Sequence, residues 1–147
     1  MLLTYLLPGH LIDDGSIPRP AERDRVDVRL QSVSARLEAP GSDDDVTVSS
    51  LGGHRYRVSG HVRSLRRGDG FVLMGPVPVL VPFARPPWRS RGKVRTAVVE
   101  LEAADPWVWR QVPAVPVQVE KVEVPDGMPW ALLVTARVLD SPSGPDS

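Results

Sequence analysis

Arg55-Tyr56-Arg57-Val58-Ser59-Gly60-His61-Val62-Arg63 is the stretch that decides the fold. Side chains alternate across a strand, so Tyr56, Val58, Gly60 and Val62 share one face while Arg55, Arg57, Ser59, His61 and Arg63 share the other. One face is built for a core and the opposite one carries a row of bases. Gly68-Asp69-Gly70 follows with the positive-φ chemistry of a tight hairpin. Phe71 to Met74 then returns as the apolar partner strand.

The same period-2 pattern extends in both directions. Leu2 to Leu7 is an apolar N-terminal strand. Val26 to Leu37 alternates with a slip near Gln31-Ser32, which predicts a long strand with a bulge. Val46 to Val48 starts a short strand stopped by Gly52-Gly53; Val79 to Val81, Val94 to Leu101, Val115 to Val119 and Trp130 to Leu139 supply the rest. Pro113 and Pro116 mark the Val115 strand as an edge, because proline offers no ladder donor. Sixteen prolines and twelve glycines, spread along the chain, leave little uninterrupted room for helix; helix is least excluded over residues 18–25, where Pro20-Ala21-Glu22-Arg23 can make one turn. About eight or nine short strands divided by turn signals imply an all-β fold, a single small closed barrel with a β-sandwich as the alternative. Residues 1–140 form one β domain, followed by a polar tail over 141–147.

The rhythm of residues 54–104 resembles that of an OB-fold. Val58-Ser59-Gly60-His61-Val62, within Tyr56 to Val62, matches the V-x-G-x-V strand that opens such a barrel, and the strand from Gly92-Lys93-Val94 to Leu101 resembles the later glycine-led strand that helps close it, with Val94 one residue nearer the glycine than in the family's G-x-x-V. The resemblance implies that Gly60 permits a sharp coil of the first strand. It also implies a strand face suited to single-stranded nucleic acid.

Charge distribution points the same way. Bases and acids number 18 each, yet residues 54–95 hold ten Arg or Lys and one acid, Asp69, while both flanks are net acidic. A basic middle between acidic flanks calls for a polyanion partner or for internal pairing, for instance with Asp43-Asp44-Asp45. Under the first reading Arg55, Arg57, His61 and Arg63 line one strand face, and Arg66, Arg67, Arg89, Arg91 and Lys93 flank it from loops. Among the nearby aromatics, Tyr56 and Phe71 fall in core registers, leaving Trp88 in Pro86-Pro87-Trp88 as the exposed ring for base stacking. Trp107 and Trp109, at i and i+2, read as one strand face that is either a core wall or a partner-facing patch. Arg accounts for all bases but Lys93 and Lys121, a bias that coding composition explains as readily as selection for phosphate contacts.

Other chemistry is thin on the ground. His10, His54 and His61 lack metal-ligand spacing, no glycine-rich phosphate loop occurs, and Ser59, His61 and Asp69 come without a nucleophile elbow. The expectation is a non-enzymatic binding module without cofactor or metal, whose partner is nucleic acid. An assembly subunit contacting an acidic protein surface or another copy of itself is the alternative, and the apolar Leu2–Leu7 strand and the proline-bearing strand offer edges for self-pairing. The absence of cysteine removes disulfides and thiolate metal sites and favours a reducing cytoplasm. No run reaches the length of about 18 apolar residues expected of a membrane helix, and the N-terminus lacks the basic region of a signal peptide.

Overall fold

A computed structural model describes residues 1–38, 45–66, 70–84 and 93–139. Among these residues ten strands and one short helix follow in the order β1 (Leu2–Pro8), α1 (Gly9–Asp13), β2 (Arg25–Val28), β3 (Leu30–Leu37), β4 (Val48–Gly52), β5 (Arg55–Ser64), β6 (Gly70–Met74), β7 (Val79–Pro82), β8 (Val94–Ala103), β9 (Val115–Glu123) and β10 (Ala131–Val138). The all-β barrel expected from the alternation is present. Helix occurs over Gly9–Asp13, whereas the stretch around Pro20, where helix was least excluded, forms only a turn.

Five strands close on themselves in the ring β3-β8-β5-β6-β7. Every neighbouring pair is antiparallel except β7 and β3, whose parallel pairing at Leu30↔Val79 and Gln31↔Leu80 completes the circle. A second antiparallel sheet, β2-β9-β10-β1, is attached to the barrel through β8 at Leu6↔Glu102. The long Val26–Leu37 strand is divided at Arg29, where the chain crosses from that sheet into the barrel, and its register slips again between Ser32 and Ala35. Ser32 shares the inward face with Leu30, and after the slip Val33 is exposed.

A continuous core runs through barrel and sheet. Val58, Val62, Phe71, Leu73, Val79, Ala97, Val99 and Leu101 point into the barrel, and the same cluster continues through Leu3, Tyr5, Leu7, Val117 and Val134. Tyr56 ties the two parts together, since its hydroxyl accepts a hydrogen bond from the Thr4 amide at 2.9 Å. A smaller cluster lies outside the barrel, where Val112 covers Val72 and Leu80. Both faces of β6 and β7 are therefore buried.

Two edge assignments need correction. β1 is an interior strand, paired along its length with β10 and touching β8, because its apolar residues face a core that barrel and sheet share. β9 is also interior, between β2 and β10; Pro116 fits there because its carbonyl accepts from the Leu139 amide while it has no donor to leave unpaired. Within the described residues the sheet ends at β2 and β4, so neither strand proposed for self-pairing offers an edge.

Gly60 stands where β5 leaves β4 and takes up β6. A Cβ at this position would sit 2.8 Å from backbone atoms of Leu73 and Met74. Backbone cannot swing aside as a side chain can, so Gly60→Ala is expected to destabilise the fold by about 3 kcal/mol, read from the urea midpoint; a loss within measurement error would refute the close approach. Tyr5 provides a pH test. Burial pushes its phenol from 10.0 up to about 12. The unfolded chain gives up this proton before the folded one does, so stability present below pH 10 is lost as pH rises toward 12. The loss is expected to be roughly 2–3 kcal/mol, and Tyr5→Phe removes that part of the decline; identical alkaline stability profiles for the two proteins would refute it.

Candidate functional site

β5 fixes the basic row by holding its inner face in the core. Tyr56, Val58, Gly60 and Val62 are buried and Arg55, Arg57, His61 and Arg63 are exposed, as the alternation requires. Ser59 departs from it. Its hydroxyl lies on the outer face yet is buried, within 2.7 Å of the Thr96 hydroxyl and accepting from Thr47 at 3.3 Å. This small hydroxyl ladder divides the row in two.

The first half is close to acids. Arg57 donates through Nε to Glu38 at 2.6 Å, and Arg55 lies opposite Glu100, which in turn is 3.5 Å from His54. The second half differs. His61 pairs in register with Val94, which brings Lys93 alongside, and the Lys93 carbonyl accepts from the Val62 amide. Arg63 donates to the Gln111 carbonyl at 2.9 Å, and the Arg66 amide reaches the Gln111 side-chain oxygen at 3.4 Å. Arg110 is exposed on the same turn. Among the described residues no carboxylate forms an ion pair with Arg63, Arg66, Lys93 or Arg110. Arg67, Trp88, Arg89 and Arg91 lie outside the described residues, as do Asp43 and Asp44.

Trp107 and Trp109 do not share a strand face. The Asp105 carboxylate accepts from the amides of Trp107 at 2.9 Å and Val108 at 3.3 Å, and the Asp105 carbonyl accepts from the Trp109 amide. This closes a helical turn, in which i and i+2 point in different directions. Trp107 is 70% exposed, while Trp109 is partly buried against the Leu65, Val72, Leu80 and Val112 cluster. Core packing, one of the two sequence readings of the pair, thus applies only to Trp109.

Trp88 was expected to be the one exposed ring near the basic strip, yet Phe83 is 85% exposed. It follows β7 directly and meets Trp109 edge-on, with ring centroids 5.5 Å apart and planes at 70°. Phe83, Trp107, Trp109, Arg110 and Gln111 line an open cleft of about 400 Å³ beside Arg63 and Arg66. Sequence reading missed Phe83, Arg110 and Gln111. Asp105-Pro106 was the available signal for the turn, but the sequence held none for the contact between residues 63 and 111.

No group of three or more His, Cys, Asp or Glu among the described residues is placed to hold a metal ion. No helix there is long and apolar enough to cross a membrane. Asp105→Ala removes the acceptor for two amides, and the expected cost is about 1 kcal/mol in urea denaturation; an unchanged midpoint would show that the turn is held by Trp109 packing alone. Set against protein-family models, curated proteins and solved structures, the chain matches none of them.

Proposed function

We propose that the chain is a non-enzymatic binding module that presents the outer face of β5 to a polyanion, with nucleic acid as the partner. The observation that carries this reading is that Arg63 and Arg66, brought together by Gln111, with Arg110 beside it in the chain and Lys93 opposite Val62 at the same end of β5, form no carboxylate ion pair among the described residues. Four cations kept together and solvated repel one another, and a phosphate backbone relieves that repulsion while releasing counterions. Arg55 and Arg57, already near Glu100 and Glu38, contribute less. A closed ring of five strands, the strand number of an OB-like barrel, supports that reading, although β3 rather than β5 is the first of the five in the chain. A cytoplasmic location goes with this reading for a chain lacking cysteine.

The alternative is an assembly subunit that meets an acidic protein surface. It draws on a second apolar patch, far from the basic row in sequence, where Val124 and Trp130 are 61% and 65% exposed. The charge distribution favours the polyanion.

The test is anisotropy of labelled single-stranded oligonucleotides titrated with the protein across a salt series. If about four phosphates are neutralised, log K falls with log salt at a slope of about −3. Reversal of Arg63, Arg66 and Lys93 to Glu abolishes binding, whereas Arg57→Glu alone has the smaller effect. Absence of binding at low salt, together with co-purification of a protein partner, would overturn the proposal in favour of the assembly reading.

A further inference from the structure

The cleft beside the basic row contains features that phosphate binding alone does not explain. Phe83 has φ of 57°, a left-handed conformation that a bulky side chain rarely adopts. Such outliers persist where their surroundings fix them and mark candidate functional positions. Here the unusual backbone leaves the ring 85% exposed, a costly orientation for a residue whose burial would otherwise stabilise the fold. Trp109 props the ring from one side by its edge-to-face contact, so Phe83 is exposed without being loose. Trp107, exposed on the far wall of the same cleft, is held by the Asp105-capped turn. The described lining also contains Arg110 and Gln111, with no acid among the described residues.

We infer that this cleft is a base-stacking site, in which Phe83 and Trp107 each receive an unpaired nucleobase while Arg63, Arg66 and Arg110 hold the adjoining phosphates. The inference rests on the polyanion reading and adds to it a preference for single strands over duplex. Aromatic faces accept any base, but only one that is unstacked from its neighbours, and in a duplex the bases are not available. Charge complementarity selects this occupant over an apolar protein segment, since cations border the rings and Asp105, the acid that caps the turn, is occupied by two backbone amides. The site also differs from the strand face that an OB-like barrel is expected to use. Val112 covers the outer side of β6 and β7, and the stacking rings are on the covering turn and at the end of β7.

The experiment compares three probes on the full-length chain: a single-stranded oligonucleotide, the duplex of the same sequence, and heparin, a polyanion without bases. Wild type is expected to bind the single strand most tightly and to lose Trp fluorescence as it does so. Phe83→Ala and Trp107→Ala each weaken single-strand binding about tenfold. They leave heparin binding unchanged, because heparin has no bases to stack, and lower stability by no more than the single Phe83–Trp109 contact supplies, so the protein stays folded in the assay. Phe83→Tyr retains the affinity. Equal binding of single strand and duplex, with both alanine variants unaffected, would overturn the stacking site while leaving the polyanion reading intact. If wild type binds neither heparin nor either nucleic acid, both readings fall. Trp107→Ala converting a dimer to a monomer would reassign the cleft to contact between copies of the chain and overturn the inference.

Discussion

Every part of this molecule depends on the pairing of β8. Ala97, Val99, Leu101 and Ala103 on its inner face are essentially inaccessible to water, and both of its edges are used, by β5 on one side and β3 on the other. A ten-residue strand paired on both sides satisfies its backbone donors and acceptors internally while its apolar face leaves water, so hydrogen bonding and burial act on the same residues. The barrel closes across β8. Its Glu102 end also meets β1, the link that joins the second sheet to the barrel. β5, which carries the basic row, inherits its rigidity from this arrangement, being flanked by β8 along most of one edge and by β4 and then β6 along the other.

Those constraints explain what could be read from the sequence. β5 was legible because one face meets the core and the other meets water, and a period of two records that difference residue by residue. Gly60 was legible as a special position in the same run, and the reason is the missing room beside Leu73 and Met74. The faces of β8 were visible for a similar reason. Strand neighbours were not: the apolar residues of β1 suit an edge awaiting a partner as well as an interior strand, and only long-range pairing decides between them. Pro116 misled because a proline argues for an edge by its missing donor, whereas its carbonyl still takes part in the sheet.

The candidate site divides along the same line. The basic residues of β5 were found because they belong to one local pattern. The separation of Arg55 and Arg57 from Arg63 was not, because the acids near the first pair, Glu38 and Glu100, come from β8 and from the end of the segment leaving β3. A half-exposed pair such as Arg57 with Glu38 contributes little to stability, but it changes the local field. It lowers the positive potential at one end of the row, while at the other, within a Debye length of the aromatic cleft, no described carboxylate pairs with Arg63 or Arg66. A net charge of zero for the chain conceals this asymmetry entirely.

The aromatic cleft follows from a packing requirement elsewhere. β6 and β7 are apolar on both faces, so closing the barrel leaves Val72 and Leu80 on its outside, where they need cover. The segment after β8 supplies it with Val112, and to place that residue the chain must cross the outer wall of the barrel. In crossing, it sets Gln111 against Arg63 and Arg66, and it puts Trp109 against Phe83. The meeting of rings and cations is thus a by-product of burying two aliphatic side chains. Because the cover belongs to the fold's stability, the cleft is held in place without ligand, and stacking there would not have to organise its own walls.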